Sequence, residues 1–513
     1  MKRAKILSLL LAGILSLGAL TGCNQSAPSS GAESDSSSAS VSDGSGQGEE
    51  TANIVWYRFG FNSSGDYTTA LHNVSEELNN YLKEKINLTV DMQCFSSKEY
   101  GTKLSLAMAS QEQVDLFWTG STYNMLTPNE LIEDKAVYDL TELVENNVNL
   151  YGYMSEEIWN TSRYDGKLYF VPNFKDMGRG GGLMFNAELV KKSGFDVSTV
   201  KKLADLEPFF AAIAEECSMP CSFARLNSGA FGTFLTFTEN NPYIYLPFGV
   251  NCIAYDMTSK KVVNLAELES YEETLNTLRD FNQKGYIPSW MATDTDSSKA
   301  NEYQKNNDYG VTNAGVYPAY ESFWLANYGH EGKYLLLSDI LIDRNNTLGS
   351  AYAVPAYSKN PEAAVRFLEL LETDKVVGDF ARYGVKNENY TVDAEGYITA
   401  IADSGYSFPS FATTSLLNMS LLKGQSSTTY EDTVKFVDET VESPLYAFAF
   451  ETTGVKAELA AISEVLNGYS LLGTGDMDVA AALPELRAAL QEAGIDKVIQ
   501  EAQKQVDAYL QGK

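Results

Sequence analysis

Apolar positions after residue 50 follow the spacing of alternating strands and helices. The segment 52–59 (ANIVWYRF) has the composition of a strand, and in 86–95 (INLTVDMQCF) apolar residues recur at every second position. Between these segments, four apolar side chains fall on one face of a predicted helix: Leu71, Val74, Leu78 and Leu82. A second helix near 104–108 precedes a short strand, VDLFW, that ends at Trp118. This order predicts an α/β fold with parallel strands joined by right-handed crossovers.

The ends of these predicted strands give a first indication of a binding site. In open parallel sheets, ligands lie beyond the carboxyl ends of the strands. Three such ends, at 58–60, 95–97 and 118–120, should therefore converge on one edge of the sheet.

The first 22 residues have the pattern of a secretory signal. Basic residues precede the apolar run 6–20, which is shorter than the about 20 residues that a spanning helix needs. The sequence Leu20-Thr21-Gly22-Cys23 resembles the bacterial lipobox, in which the chain is cut before the cysteine and the thiol is diacylated. We therefore predict a lipoprotein signal peptide over 1–22 and lipidation at Cys23. An ordinary signal with a cysteine near its cut site is the alternative.

The composition changes after this cysteine and again after residue 50. Residues 24–50 are mostly Ser, Gly, Ala, Asp and Glu without an aromatic residue, so 23–50 is predicted to be the lipidated cysteine followed by a disordered tether. The whole chain is 44% hydrophobic and 12% aromatic, and the region after the tether is long enough for two or three lobes. The formal charge of −30 disfavours nucleic acid and anionic membrane surfaces as partners.

The residue types that usually bind metals do not form a recognisable metal site in this sequence, and we expect no cofactor. The chain has only two histidines, His72 and His330, and neither neighbours a cysteine cluster, which argues against zinc. In 293–305 the acidic spacing matches the start of a calcium loop, but lysines replace the required glycine and the final glutamate. We interpret this segment as the capped start of a helix.

Four cysteines come after Cys23, and their pairing stays open at this point: Cys94, Cys217, Cys221 and Cys252. Cys217 and Cys221 could form a disulfide outside the cytoplasm, and free buried thiols are the other interpretation.

The later segments predict a crossover and two packed helices. The glycine-rich run 178–182 suits a connection between lobes, and it lacks the Lys-Ser/Thr of a phosphate-binding loop. Asn360 followed by Pro361 predicts the start of a helix. The C-terminal segment predicts an amphipathic helix through its spaced apolar residues: Ile495, Val498, Ile499, Ala502, Val506 and Leu510.

Several motifs, in this order, resemble the extracytoplasmic solute-binding lipoproteins of ABC importers, in the sugar-binding family that includes maltose-binding protein. They are DLFWTGSTYNMLTPNELIEDKAVYDLT, RYDGKLYFVPN, LMFNAELVKKSGFD, GVYPAYESFW and YSKNPEAAVRFLELL. The tail AGIDKVIQEAQKQVDAYL is similar to a Gram-positive subgroup that carries its own C-terminal module. Together these motifs cover most of 53–510.

The resemblance implies a periplasmic-binding-protein-like (type II) fold, in which two α/β lobes close by a hinge on a ligand in the cleft. We expect lobe 1 to comprise 51–173 and about 311–345. We expect lobe 2 to comprise 174–310 and about 346–513, with a C-terminal helical module. The implied function is capture of a carbohydrate, an oligosaccharide above all, for the permease of an ABC importer at the outer face of the cell membrane. A monomer is expected.

Candidate ligand residues combine aromatic platforms for the apolar face of a sugar with polar groups for its hydroxyls. The platform candidates are Tyr57, Trp118, Tyr123, Tyr317 and Trp324. For each of them, packing in the core is the alternative. Tyr317 stands where maltose-binding protein has tryptophan, and 119–123 replaces the charged pair of that protein's binding loop, so maltose itself is not the expected ligand.

The polar candidates are Arg58, Asp66, Asn124 and Asn173. Asp66 matches an acidic residue of the family's first loop and could equally cap a helix. Arg58 could pair with a ligand carboxylate, as in a uronic acid or a peptide, or could form a structural salt bridge.

Two other classes of function remain as alternatives. A lipid-anchored glycoside hydrolase would need a pair of carboxylates, which a chain with 68 acidic residues always offers, but no G-x-S-x-G or H-E-x-x-H motif is present. An adhesin would bind no small ligand. Peptides are an alternative ligand class for a binding protein. The sequence therefore predicts a binder and not an enzyme, with the identity of its ligand open.

Overall fold

The computed structural model of the protein describes residues 51–62, 65–121, 126–175, 177–178, 181–224, 229–238, 241–246, 249–295, 297–314, 320–338 and 340–512. The predicted signal peptide, Cys23 and the tether lie outside these residues. In the part that is described, no helix combines the length and apolar character needed to cross a bilayer, and no cluster of three or more His, Cys, Asp or Glu side chains could hold a metal ion.

The strands of the described residues are short after the first two. They are β1 (Ala52–Phe59), β2 (Leu88–Phe95), β3 (Leu116–Thr119), β4 (Val171–Pro172), β5 (Gly182–Asn186), β6 (Tyr243–Tyr245), β7 (Ile253–Asp256), β8 (Lys261–Asn264), β9 (Val311–Ala314), β10 (Gly332–Leu336), β11 (Leu341–Ile342), β12 (Ala351–Ala353), β13 (Tyr390–Val392), β14 (Ile398–Ala400) and β15 (Val441–Glu442).

The helices alternate with these strands and dominate the C-terminal region. They are α1 (Tyr67–Ile86), α2 (Tyr100–Ser110), α3 (Pro128–Glu133), α4 (Thr141–Glu145), α5 (Val148–Tyr151), α6 (Glu156–Ser162), α7 (Ala187–Ser193), α8 (Glu207–Ile213), α9 (Gly229–Thr236), α10 (Glu269–Gln283), α11 (Ser298–Lys305), α12 (Tyr320–Tyr328), α13 (Arg344–Thr347), α14 (Pro361–Thr373), α15 (Lys375–Tyr383), α16 (Thr429–Asp438), α17 (Lys456–Gly468), α18 (Val479–Glu492) and α19 (Ile495–Gln511).

The first sheet has the strand order β2-β1-β3-β12-β4. Strand β1 pairs in parallel with both β2 and β3, and β12 runs antiparallel to β3 and β4. The predicted strand–helix–strand–helix–strand order over 52–119 is confirmed. Helix α1 covers the sheet with the predicted face, since Val74, Leu78 and Leu82 are fully buried and Leu71 is partly buried.

The same core extends far along the chain. Helix α14 begins at Pro361, as predicted, and buries Ala364, Phe367, Leu368 and Leu371 in the cluster that also holds Trp56 and Phe117 of the first sheet. Phe367 meets the ring of Trp56 edge-on with centroids 5.1 Å apart. Residues around 351–383 therefore belong to the core of the first sheet.

A second sheet, in the order β10-β5-β9, is antiparallel throughout. A third sheet, β6-β7-β8, shares a core with α10 and the C-terminal helices. Helix α19 contributes Ile495, Val498, Ala502 and Val506 to this core, in agreement with the predicted amphipathic pattern.

These pairings show which sheets the later segments join, while the lobe boundaries stay a prediction. The segment 311–345 is expected in lobe 1, and its strands β9 and β10 pair with β5 in the second sheet. The segment 346–513 is expected in lobe 2; β12 and α14 lie in the first core, and only the C-terminal part joins the second and third sheets. Such short strands carry no periodicity that identifies their partners, which lie far away in sequence.

Chain segments that pass between the first sheet and the others lie side by side. The glycine-rich run leads from β4 to β5, as predicted for a crossover. Strands β11 and β15 come from two further crossing segments and pair in parallel, Leu341 with Val441 and Ile342 with Glu442.

Two smaller predictions concern side-chain chemistry. Cys94, Cys217, Cys221 and Cys252 are not joined by disulfide bonds. The carboxylate of Asp294 accepts hydrogen bonds from the backbone N–H groups of Lys299 and Ala300 (3.2 and 3.0 Å), which confirms the capped helix start.

Candidate functional site

The carboxyl end of β3 is built around Trp118. Its ring stacks on Phe59 of β1 with centroids 4.2 Å apart and 21° between planes, and it meets Phe411 edge-on at 6.2 Å. The phenol of Tyr100 donates to the carbonyl oxygen of Trp118 (2.6 Å) and accepts from its N–H (2.9 Å). Trp118 has no exposed surface, so it supports this edge from within and offers no open platform to a sugar.

A serine hydroxyl connects this tryptophan to three other parts of the chain. Ser350 Oγ accepts from the indole Nε1 of Trp118 (2.7 Å) and from Nδ2 of Asn173 (3.2 Å), and it donates to the carbonyl of Phe411 (2.5 Å). The N–H of Asn173 donates to the carbonyl of Ser350 (3.0 Å). The structure thus brings two predicted site residues, Trp118 and Asn173, together at the point where β3, β4 and β12 meet.

Asn173 keeps one unused acceptor in this cluster. Its Oδ1 is buried and has no hydrogen-bond partner. An unsatisfied buried acceptor costs about 1–3 kcal/mol. Asn173 is therefore the predicted polar residue with a hydrogen-bonding position still available, although its side chain has no exposed surface.

Arg58 is buried and forms its hydrogen bonds within the core. Its Nη1 donates to Tyr406 Oη (2.6 Å) and its Nη2 to the carbonyl of Ala381 (2.6 Å). The guanidinium carbon lies 4.2 Å from the ring centroid of Trp56 and 3.6 Å from that of Phe408. With 2% of its surface exposed, Arg58 holds the first sheet to the segment 381–408. It therefore forms neither the predicted salt bridge nor an open ligand contact.

Two further predicted residues have local roles. The Asp66 carboxylate accepts from the N–H of Thr69 (3.2 Å) and from its hydroxyl (2.7 Å), which lower the pKa of Asp66 and confirm the helix-capping interpretation. Tyr57 packs against Phe95 with ring centroids 5.1 Å apart and is 5% exposed. Burial, and after it the charge of Glu112, raises the pKa of the Tyr57 phenol.

Trp324, on α12, lies in the core of the second sheet. It stacks on Tyr328 with centroids 4.2 Å apart, and its Nε1 donates to Nδ1 of His330 (3.3 Å). Its 2% exposure makes it a packing residue.

Tyr123, Asn124 and Tyr317 lie outside the described residues, so their assignment stays a prediction. Their positions in the chain are nevertheless informative. Residues 122–125 come shortly after β3, and 315–319 come directly after β9 and before α12. Both segments therefore follow strand ends, one in each of the two main sheets.

The structure adds a residue that sequence reasoning missed. Arg382, at the end of α15, lines a cavity of about 40 Å³ together with Phe323 and Asn327 of α12 and with side chains from 410–430. No sequence signal identified it, because the burial of this arginine depends on the packing of segments distant in sequence. A larger cavity of about 560 Å³ is lined by one face of α16 and Leu417, and it is an open surface depression.

Comparison with known proteins places this geometry in a family. The sequence profile described as "Bacterial extracellular solute-binding protein" matches residues 64–377. A second profile, described as a domain of unknown function (DUF3502), matches 444–511, the region of α17 to α19. A carbohydrate ABC transporter substrate-binding protein of Streptococcus pneumoniae serotype 4 (strain ATCC BAA-334 / TIGR4) is 28% identical over 464 residues, which cover 88% of this chain and 90% of that protein.

Solved structures give the same result. The N-glycan transport solute-binding protein NgtS from Streptococcus pneumoniae has a TM-score of 0.76 at 25% identity, covering 90% of this chain and 99% of that one. The alginate-binding protein AlgQ2, at 13% identity, is similar in fold, with a TM-score of 0.59 over 90% of this chain and 99% of its own.

These matches confirm the resemblance inferred from the motifs. They also confirm the two-lobe α/β fold and a role in binding rather than catalysis. With its profile matched over more than half of its length, the chain belongs to the family of bacterial extracellular solute-binding proteins, which places it on the extracytoplasmic side of the membrane.

Proposed function

We propose that this protein captures an oligosaccharide between its two main sheets and delivers it to the permease of an ABC importer. One observation carries this proposal: the likeness along nearly the whole chain to NgtS, whose structures hold Man1GlcNAc and Man5GlcNAc. The S. pneumoniae relative of the carbohydrate importer class supports the same solute class.

Such a site would have two kinds of residue, those that contact the ligand and buried ones that support them. We assign direct ligand contacts to Tyr123, Asn124 and Tyr317, which follow strand ends of both sheets. A tyrosine ring suits the C–H face of a sugar, and an amide suits its hydroxyl edge. Trp118 and Asn173, near the ends of β3 and β4, are joined to each other through Ser350.

The proposal includes a membrane anchor. Residues 1–22 act as the signal peptide, Cys23 carries the lipid, and 23–50 tether the binding domain near its permease. A Cys23→Ala variant should leave the membrane fraction and appear in the medium, and mass spectrometry of the parent should show the lipid on Cys23. Recovery of the variant with the membrane would contradict the anchor and leave the sugar proposal intact.

A thermal-shift screen tests the ligand class. Man5GlcNAc, kestose, alginate oligosaccharides and a peptide mixture are each added to the purified protein. A ligand at 100 times its Kd stabilises the folded state by about 2.7 kcal/mol, which gives a measurable rise in melting temperature. The proposal expects shifts with oligosaccharides, which chromatography then recovers intact. Shifts with peptides alone, or hydrolysis of the sugar, would overturn it.

A further inference from the structure

Arg382 is a largely buried cation without a partner among the described residues. It forms no hydrogen bond and no ion pair with any of them, and its Nε is enclosed without an acceptor. Its guanidinium carbon lies 5.1 Å from the ring centroid of Tyr383, the next residue on α15. This arrangement differs from that of Arg58, whose guanidinium donates to a phenol and to a carbonyl.

No carboxylate of the described residues forms an ion pair with Arg382. Its titratable neighbours are the phenols of Tyr383 and Tyr406. Asp379, one turn earlier on α15, accepts from the N–H and the hydroxyl of Ser420 (2.7 and 2.6 Å). Burial lowers the pKa of Arg382, and the two phenols oppose that effect only in part. Arginine does not lose its proton in proteins, so the charge stays, and an anion in the cavity would act as its counter-ion.

The cavity beside Arg382 is small and is lined mainly by apolar groups, with polar groups from a few side chains. Its volume of about 40 Å³ is room for roughly three water molecules at about 15 Å³ each. Binding sites for whole drug-sized ligands enclose about 300–1,000 Å³. A sugar ring therefore does not fit, but a single substituent of a sugar does. Ser410, Ser420 and Gln425 contribute hydroxyl and amide groups to the lining.

The cavity borders elements that lie close in the chain to the proposed ligand segments. One wall is α12, which begins three residues after Tyr317. The opposite wall includes Ser410, and the following residue, Phe411, contacts both Trp118 and Ser350. A glycan bound beside Trp118 and α12 would therefore have a substituent within reach of Arg382.

We propose that this cavity binds the carboxylate of an acidic sugar residue in the captured glycan, with the Arg382 guanidinium as its counter-ion. The proposal rests on the oligosaccharide-binding function and adds a preference for acidic glycans. Planar guanidinium and carboxylate groups form paired hydrogen bonds, which explains why an arginine, and not a lysine, suits this position.

The test compares matched glycans. Neutral oligosaccharides that bind in the thermal-shift screen are oxidised at the terminal hydroxymethyl group to the corresponding uronates, and Kd values are measured by calorimetry. We expect at least one uronate to bind about tenfold or more tightly than its neutral parent. Arg382→Gln should lower this ratio to about one, and Arg382→Lys should keep part of the preference. Arg366→Gln, at an exposed arginine of α14, is the matched control and should change neither value.

The outcomes separate the two proposals. If neutral glycans bind and no uronate is preferred, the carboxylate site is wrong and the oligosaccharide function stands. If acetate or inorganic phosphate alone binds in an Arg382-dependent manner with no preference among glycans, the cavity is a site for a free anion and the inference is overturned. If no glycan binds, the oligosaccharide function itself fails.

Discussion

Gly178 packs so closely against Ile340 that a Cβ atom at position 178 would lie 2.2 Å from Cγ2 of Ile340. It would also lie 3.5 Å from Cγ2 of Thr440. These residues come from three segments that pass between the first sheet and the others, so the close approach is where the crossing segments meet. Closure of two lobes on a ligand bends such segments, and their packing sets the geometry of the hinge.

Replacement of this glycine tests the hinge. Gly178→Ala should lower the free energy of unfolding by about 1–3 kcal/mol, because the added methyl group overpacks the contact with Ile340. It should also weaken ligand binding, since the crossing segments must separate slightly. Urea denaturation and calorimetry measure the two effects. Gly454→Ala, where an added Cβ meets open space, is the control and should change neither. If Gly178→Ala changes neither the free energy of unfolding nor the ligand affinity, the close contact with Ile340 does not set the hinge.

Arg58 should prove structural. Arg58→Met keeps an apolar stem but leaves Tyr406 and the carbonyl of Ala381 without their donor, so we expect a loss of about 3 kcal/mol in stability. The fraction that remains folded should bind a neutral glycan with the parent's Kd. A selective loss of affinity at normal stability would instead restore Arg58 as a ligand residue.

Glu372 should make stability depend on pH. It is 2% exposed, its Oε2 accepts from the N–H of Ser415 (2.8 Å), and burial raises its pKa well above the ordinary value. The folded protein therefore retains this proton to a higher pH than the unfolded chain does. The contribution of protonated Glu372 to the free energy of unfolding is fully present below about pH 4.3. This contribution is lost as the pH rises toward the pKa of Glu372 in the folded protein.

Two glutamine variants of α14 test this pH dependence of stability. Glu372→Gln should be more stable than the parent at pH 7, and the difference should shrink to nothing below about pH 4. Glu362→Gln, at an exposed position on the same helix, should show no such dependence. A Glu372→Gln protein that is less stable than the parent at pH 7 would mean that the buried carboxylate is charged and satisfied.

The cysteines should be reduced and slow to react. Burial raises the pKa of Cys94 to about 11 and those of Cys217 and Cys252 to about 12, so little thiolate forms at pH 8. Iodoacetamide should label the native protein slowly and label these cysteines and Cys221 rapidly after unfolding without reductant. A peptide map that shows a Cys217–Cys221 disulfide would contradict the structure.

Local periodicity carried most of the successful sequence predictions. The spacing of Val74, Leu78 and Leu82 predicted their burial correctly, because an element's own residues determine which of its faces is apolar. The alternation in β2 was correct for Leu88 and Val90, while Met92 is only partly buried. The sheet partners of β9 and β12 could not be predicted, because strands of four and three residues take their partners from distant segments.

The candidate site was only partly predictable. Trp118 and Asn173 were correctly placed near a strand end, but an aromatic residue there can face the core or the ligand, and the sequence pattern is the same in both cases. The hydrogen bond of Trp118 to Ser350 and its stacking on Phe59 show that its side chain faces the core. Arg382 gave no signal at all, since its enclosure arises from α12 and from residues 410–430.

The most direct test of the central proposal is isothermal titration calorimetry of the purified protein with Man5GlcNAc, kestose and alginate oligosaccharides. We predict saturable binding of at least one of them at one site per chain, with the sugar recovered intact and with binding weakened by Tyr317→Ala. If none of these oligosaccharides binds while a peptide does, the proposal that this protein delivers a carbohydrate to an importer is wrong.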